Sequence, residues 1–282
     1  MIVVTVLGSC QLLLRYGIQM LATTPLIDFR KVTVRRSGRS VLEEFSLRIP
    51  EGQHLAILGP NGCGKSTFIK AITRELYPDP EVPDSYLEIF GRRIWNIFDL
   101  RPLLGIVSYD WLDTCRRNDY PCREIILSGF FSSVGIWPHH EVAPDMHRRT
   151  DEVMDLLEIA HLADRPICEI SSGEGRRVLI ARALVHRPKA MILDEPANSL
   201  DLGSMHQLRS TLRRVAGQGT RLLLVTHHLA DIVPEIERVV LMRDGRVFFD
   251  GPKAAALDSA TLSALYRTEV TVDQRDGYFH AW

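Results

Sequence analysis

The sequence lacks a strong charge of either sign, since its 282 residues carry a formal net charge of −1. Bulk electrostatics would therefore not draw the chain to nucleic acid or to an anionic membrane, and we expect no direct binding of nucleic acid. Cysteine is also sparse: the five residues are scattered and form no C-x-x-C pair. This spacing favours neither a zinc site nor a disulfide framework, and it agrees with a reducing cytosol.

Long hydrophobic runs are absent as well. The most apolar stretch, residues 1–14, is shorter than the roughly 20 residues that a transmembrane helix needs, and Arg15 ends it. It lacks the basic start of a secretory signal, although residues 7–10 resemble a lipoprotein cleavage site. The simplest hypothesis is that translation starts at Met20 and that residues 1–24 form an extension that need not be native.

A phosphate-binding loop is present. Residues 59–67 fit the pattern G-x-x-x-x-G-K-S/T, between an apolar run typical of a buried strand and the start of a helix. In this arrangement backbone N–H groups and the helix N-terminus bind phosphate oxygens. Lys65 would reach the β- and γ-phosphates, and the Ser66 hydroxyl would hold Mg²⁺. The predicted nucleotide-binding residues are Gly59, Pro60, Asn61, Gly62, Cys63, Gly64, Lys65, Ser66 and Thr67.

Two further apolar strands end in polar side chains. The first, residues 191–193, leads into Asp194 and Glu195, and the second, residues 221–226, leads into His227. Ligands of α/β sheets bind at the carboxyl ends of the strands. Asp194 is therefore predicted to help hold Mg²⁺, and Glu195 to orient and deprotonate an attacking water. A histidine at such a strand end can reach the γ-phosphate.

The remaining pattern mixes antiparallel strands with helices. Residues 26–34 and 41–49 predict an antiparallel strand pair before the phosphate loop, and residues 239–249 predict a hairpin around an Asp-Gly turn. Asp151 and Glu152 suit the start of a helix. The last thirty residues predict one short helix, over 260–265, and a strand.

Taken together, residues 26–251 resemble an ATP-binding-cassette (ABC) transporter ATPase subunit. The distinguishing feature is the family signature, which other phosphate-loop ATPases lack. It stands before a strongly helical run and consists of Ser171, Ser172, Gly173 and Glu174. Four other motifs stand around the signature in the family's order. The phosphate loop comes before it; after it come the acidic strand ending in Glu195, the Ser199-Leu200-Asp201 loop and the switch histidine His227.

The resemblance implies an α/β fold: a P-loop NTPase (RecA-like) core with an antiparallel β subdomain and a helical insertion. Residues 25–282 would form a single ABC ATPase domain. Its predicted parts are a nucleotide-binding core at 25–90 and 170–252, a helical insert at 91–169 and a C-terminal extension at 253–282.

The resemblance also implies partners. The signature helix of one copy would point its N-terminus at the γ-phosphate held by a second copy, so that ATP joins a head-to-tail dimer. The helical insert would dock on separate transmembrane permease subunits, placing the chain in the cytoplasm at the inner face of the cell membrane. ATP would be the substrate, and Mg²⁺ the cofactor.

Three positions depart from the usual pattern or add to it. Where the family stacks an aromatic residue on adenine, this chain has Arg35 or Arg36; a guanidinium can also stack on a base, with less base selectivity. Tyr109 and Asp110 stand where the family has a glutamine that senses Mg²⁺. Cys63 precedes a helix N-terminus, which predicts a lowered thiol pKa and sensitivity to alkylation.

Several functions stay open. The main hypothesis is the energy-coupling ATPase of a transporter; the alternatives are a soluble ATPase acting on ribosomes or DNA and a nucleotide sensor with little turnover. The loop at 127–135 and the altered glutamine site resemble the molybdate-type branch, with siderophore and other metal importers as the second choice. Because residues of the phosphate loop contact only nucleotide, the substrate assignment rests on analogy.

Overall fold

The computed structural model describes residues 24–282. The predicted extension, residues 1–24, therefore lies outside the described residues except for Thr24. The predicted start at Met20 lies outside them too. The strands are β1 (Pro25–Arg36), β2 (Arg39–Pro50), β3 (Leu55–Leu58), β4 (Tyr86–Ile89), β5 (Leu104–Ser108), β6 (Ala190–Asp194), β7 (Arg221–Thr226), β8 (Arg238–Arg243), β9 (Arg246–Pro252), β10 (Val272–Arg275) and β11 (Tyr278–Ala281).

Nine α-helices are found in this part of the chain. They are α1 (Lys65–Ile72), α2 (Ile97–Leu100), α3 (Tyr109–Arg116), α4 (Cys122–Leu127), α5 (Pro144–Leu156), α6 (Ser172–Leu184), α7 (Leu202–Gly217), α8 (Lys253–Ala256) and α9 (Ser259–Tyr266). None of the helices in residues 24–282 combines the length and the apolarity that crossing a bilayer requires.

The central sheet has six strands in the order β5-β6-β7-β3-β8-β9. Strand β3 runs parallel to both of its neighbours, and only β9 is antiparallel, against β8. All four residues of β3 are buried, which explains its uninterrupted apolar sequence, since a parallel strand is covered on both faces. The predicted α/β P-loop fold is confirmed.

Successive side chains of β3 enter two different cores. Ala56 and Leu58 belong to a core that includes the signature helix α6 and the helices of residues 109–184, whereas Leu55 and Ile57 belong to a second core shared with the small sheet. This follows from the two-residue repeat of a strand. The strand before the phosphate loop is thus fixed from both sides.

The small sheet is antiparallel, in the order β2-β1-β4, and it confirms the predicted antiparallel subdomain. It packs on the phosphate-loop helix through three buried rings. Phe68 of α1 lies 5.0 Å from Phe29 of β1 and 5.7 Å from Phe45 of β2, measured between ring centroids. These rings connect the orientation of α1 to the small sheet.

Two details of the predicted elements are wrong. Helix α5 begins at Pro144 and not near Asp151, because Pro is favoured in the first helical turn and Asp145 supplies the acidic residue there. Beyond the predicted helix, which is present as α9, the last thirty residues contain a complete hairpin, β10–β11, where only a strand was expected.

Replacing Phe68 by Ala should lower the free energy of unfolding by about 3–5 kcal/mol, because the ring is 1% exposed and a cavity would remain. Denaturant unfolding followed by circular dichroism measures the change. The control is Phe98→Ala, at a ring that is 72% exposed, which should change the value by less than about 0.5 kcal/mol. Equal losses in the two variants would contradict the proposed contact between α1 and the small sheet.

Candidate functional site

The phosphate loop has the shape that its glycines permit. Gly64 caps α1 with φ of 108°, in the left-handed region that side chains disfavour. At Gly59 an added Cβ would collide with the backbone carbonyl of Met242. The loop therefore fits closely between β3 and β8, and it delivers the N-terminus of an eight-residue helix to the carboxyl edge of the sheet.

Lys65 lies folded across this loop. Its Nζ donates to the Gly59 carbonyl at 2.8 Å and to the Pro60 carbonyl at 3.2 Å, and the residue is 6% exposed. In the same first turn the Ser66 residue is exposed, whereas Thr67 is buried. A positive charge and an accessible hydroxyl thus stand at a helix N-terminus, where anions bind favourably.

Parallel pairing brings the predicted acidic and histidine residues to the same edge. Strand β6 ends at Asp194, which is in register with Val225 of β7, one residue before that strand ends. Glu195 turns away from the strand with φ of 46°, while its backbone N–H donates to the Val225 carbonyl at 2.8 Å. The backbone therefore fixes the direction of the Glu195 carboxylate.

Glu195 contacts both His227 and Lys65. Its Oε1 lies 2.9 Å from His227 Nδ1 and 3.9 Å from Lys65 Nζ. About a quarter of each of the Glu195 and His227 side chains is exposed. A carboxylate that is partly desolvated, oriented by an imidazole and open to solvent can accept a proton from water.

Asp194 lies in an electrostatically unfavourable place. Burial and, after it, the adjacent Glu195 raise the pKa of Asp194 to about 6, and the nearby charge of Asp110 acts in the same direction, while Lys65 opposes them. Oxygen ligands concentrated at such a point fit Mg²⁺, because a divalent cation offsets their repulsion. Asp194 and the exposed residue Ser66 are the residues here that could hold that ion.

A buried carboxylate, Asp231, was missed by sequence reasoning. It is 4% exposed and accepts a hydrogen bond from the Thr226 hydroxyl at 2.8 Å, and that hydroxyl in turn accepts from the His228 N–H at 3.0 Å. This chain of bonds holds the backbone on both sides of His227. The available signal was an acid within an otherwise apolar run, residues 229–233.

The signature residues are held by contacts at the start of α6 and with α3 and α7. Ser171 and Glu174 form a capping box: the Ser171 hydroxyl accepts from the Glu174 N–H at 3.2 Å, and the Glu174 carboxylate accepts from the Ser171 N–H at 2.9 Å. Ser172 is 3.5 Å from Arg116, and Gly173 packs against Ser204 of α7. Among the described residues, no hydrogen bond or ion pair joins these four to residues 59–67.

The three unusual positions have different outcomes. Arg35 is held by Asp79, with Nε 2.8 Å from Oδ2, whereas Arg36 is exposed at the end of β1. Asp110 lies in the first turn of α3, two residues past Ser108, whose register partner is Asp194. This explains why the Asp110 charge affects the Asp194 pKa.

The predicted low pKa of Cys63 is wrong. Burial raises the pKa of its thiol, and this effect outweighs the opposing influence of Lys65 and of the backbone N–H groups. The residue is 3% exposed, in the narrow space beside Gly59. A thiol at a helix N-terminus is activated only when it can reach solvent, and this one cannot.

The phosphate loop, the acidic strand end and the histidine of the next strand define a P-loop ATPase cassette. A family model described as ABC transporter matches residues 42–198, and the chain belongs to that family. Members of this family hydrolyse ATP, and this chain is an ATPase.

Similar proteins extend over most of the chain. The cobalt import ATP-binding protein CbiO of Rhodobacter capsulatus is 33% identical over 244 residues, covering 85% of this chain and 84% of CbiO. ABC transporter ATP-binding protein ModF of Escherichia coli is 34% identical over 233 residues, covering 80% of this chain but 46% of ModF. The solved structure of cbiO1 from Clostridium perfringens, part of the ABC transporter complex cbiONQ, aligns with a TM-score of 0.72 at 26% identity, covering 86% of this chain and 94% of cbiO1.

Alkylation of the native protein should reach Cys168 first, because it is the exposed thiol among the described cysteines, while Cys63, Cys115 and Cys122 are buried. We expect N-ethylmaleimide to modify Cys63 at least about tenfold more slowly, since burial raises its pKa and blocks access. Peptide mass spectrometry resolves each site, and denatured protein is the control in which the described cysteines react alike. Rapid labelling of Cys63 that ATP suppresses would restore the original prediction.

Proposed function

We propose that this ATPase is the nucleotide-binding subunit of an ABC transporter, and that it powers the movement of a small solute through a separate membrane permease. The observation that carries the proposal is the meeting of Lys65, Glu195 and His227 at the carboxyl edge of the sheet. The relatives support the transport reading, since they are a cobalt import ATP-binding protein and part of an ABC transporter complex.

In the proposed mechanism the chain positions the γ-phosphate and activates water. Lys65 gives up the carbonyls of Gly59 and Pro60 and binds β- and γ-phosphate oxygens instead. Backbone N–H groups of the loop donate to the same phosphates. Glu195 accepts a proton as the water oxygen bonds to the γ-phosphorus, and the bond to the β–γ bridging oxygen breaks. His227 orients Glu195 through the contact of its Nδ1, and its ring reaches towards the γ-phosphate.

Ser66 and Asp194 would hold Mg²⁺. When bound, the ion neutralises phosphate charge and the charge that develops on the leaving oxygens. A cation there also stabilises the ionised form of Asp194, whose pKa is otherwise raised to about 6. Asp110 adds negative charge at the same point, as expected of a residue that takes over part of the role of the usual glutamine.

A second copy completes the site in this proposal. The N-terminus of α6, with Ser171, Ser172, Gly173 and Glu174, faces the γ-phosphate bound by the partner and supplies backbone donors in trans. Among the described residues, these four make no hydrogen bond or ion pair with the phosphate loop of their own chain, which leaves them available for a role across a dimer. Arg36 is the proposed contact of the adenine ring.

The proposed location is the cytoplasmic face of the cell membrane, with the helical insert of residues 91–169 docked on the permease. For the solute we propose molybdate or another metal species. The support is the loop at 127–135 and the similarity to a cobalt import protein.

A soluble ATPase acting on ribosomes or nucleic acid is the alternative, and the comparisons favour transport over it. A nucleotide sensor with little turnover would keep the phosphate loop but would not depend on Glu195 for its activity.

Glu195→Gln should lower ATP turnover by roughly 10²–10⁴-fold, because the amide cannot accept the proton from water. ATP binding should persist, since Lys65 and the loop remain. Turnover is measured by phosphate release, and binding by retention of a labelled nucleotide. The matched control is Glu237→Gln, an exposed carboxylate just before β8, at the opposite edge of the sheet. Turnover that survives Glu195→Gln would overturn the assignment of the base.

Uptake in the native host tests the transport role. Cells in which Lys65→Ala replaces the native chain should lose energy-dependent accumulation of labelled molybdate, because the variant no longer retains ATP and Mg²⁺. Labelled cobalt is measured in parallel, and cells carrying Glu237→Gln are the control. Loss of cobalt uptake alone would reassign the solute. Unchanged uptake of both, in cells whose wild-type protein hydrolyses ATP, would contradict the proposed cargo.

A further inference from the structure

A cavity of about 750 Å³ opens between the nucleotide loops and the β10–β11 hairpin, and the ATPase mechanism does not use it. Asn61 of the phosphate loop and His227 line one wall. The other wall is mixed: Tyr266, Val270 and Ala281 are apolar or aromatic, and polar side chains such as Glu269 and His280 lie among them. The cavity therefore joins the γ-phosphate side of the site to a segment outside the matched family region of residues 42–198.

The hairpin is a fixed wall. Thr271 and Trp282 exchange two backbone hydrogen bonds, at 3.1 and 3.2 Å, which extend the pairing of β10 with β11. Phe279 is 6% exposed within the larger core, and the Arg209 guanidinium of α7 lies 5.1 Å from the centroid of the Tyr278 ring. Strand β11 packs on Leu229–Asp231, the turn that follows the switch histidine.

Leu202 is an apolar side chain that the rest of residues 24–282 leaves largely uncovered. It is the first residue of α7 and is 81% exposed. Its position is fixed, because Asp201 caps the helix and accepts from the Ser204 N–H at 2.9 Å and from the Ser204 hydroxyl at 2.8 Å. A single exposed leucine is ordinary in itself. Its neighbours make this one informative.

Leu202 lies beside the signature. A Cβ added at Gly173 would meet the Ser204 hydroxyl oxygen at 2.6 Å, so the N-termini of α6 and α7 are in close contact. Leu202 is two residues from Ser204, so a surface that receives the signature lies close to Leu202. In the proposed head-to-tail dimer that surface is the phosphate loop and His227 of the other copy, at the mouth of the cavity.

We infer that Leu202 of each copy inserts into the cavity under the β10–β11 hairpin of the other, so that the hairpin is part of the ATP-dependent dimer interface. The inference rests on the proposed dimer. Two-fold symmetry makes the contact occur twice: Leu202 of the first copy enters the cavity of the second, and Leu202 of the second enters the cavity of the first. Trp282, 70% exposed at the rim, would cover the inserted side chain.

Disulfide cross-linking between differently tagged chains tests the contact. All chains carry Glu195→Gln, so that the ATP-bound dimer accumulates, together with Cys10→Ser and Cys168→Ser. One chain carries Leu202→Cys and the other Ala281→Cys; the control pair replaces Leu202→Cys by Tyr77→Cys, at a side chain that is 66% exposed elsewhere. We expect a heterodimeric cross-link with ATP and Mg²⁺, none without ATP, and none in the control pair.

Dimer affinity gives a second measurement. In the Glu195→Gln background, Leu202→Ser should weaken ATP-dependent dimerisation by roughly tenfold for each leucine lost from the interface, and so by roughly 100-fold in the symmetric dimer. Trp282→Ala should weaken it in the same direction, and Tyr77→Ser should leave it unchanged. Analytical ultracentrifugation measures the dissociation constants, and thermal unfolding confirms that each variant is folded.

The two proposals fail in different ways. If Glu195→Gln protein stays monomeric with ATP and Mg²⁺, the head-to-tail dimer itself is wrong. If the Glu195→Gln protein dimerises, but no cross-link forms and the Leu202→Ser variant dimerises normally, Leu202 does not insert into the cavity under the hairpin. In that case, saturable occupation of the cavity by a small apolar dye in the ATP-bound dimer would identify it as an unfilled ligand pocket.

Discussion

The parallel alignment of β3, β6 and β7 is the constraint on which the rest of the structure depends. Each strand ends at the same edge of the sheet, so that Lys65, Glu195 and His227 meet although they are far apart in the chain. The strands are short, and their burial on both faces fixes them. Because the two cores hold β3 from opposite sides, the phosphate loop begins from a rigid support.

Charge is concentrated where the strands end, and the chain offsets it only in part. Burial raises the pKa of Asp194, and the charges of Glu195 and Asp110 raise it further; Lys65 and, more weakly, Lys70 oppose them. Lys65 itself is held by loop carbonyls, ligands weaker than phosphate oxygens. A nucleotide with its metal would satisfy both the carboxylates and the lysine. The same region thus accounts for the raised pKa of Asp194 and for the affinity proposed for ATP.

Sequence reasoning succeeded where a residue's role follows from its local pattern. The turn and helix of the phosphate loop and the ends of the strands are set by residues close together in the chain, so spacing alone located them; the capping box of α6 was not predicted. It failed where distant residues decide. Cys63 follows a local rule for thiols, but Met242, Gly59 and the surrounding core desolvate it. Arg35 is paired with Asp79, which no local rule connects to it. Asp231 became noticeable only once its bond to Thr226 was visible.

The backbone of Glu195 has a consequence for how this protein can change. A left-handed conformation costs a residue with a Cβ on the order of 1 kcal/mol, and Gly or Asn would adopt it more easily. Selection for stability alone would therefore favour replacing Glu195, the residue proposed to accept the proton. Laboratory evolution towards thermostability, run without a screen for activity, would therefore tend to produce variants that bind ATP but no longer hydrolyse it.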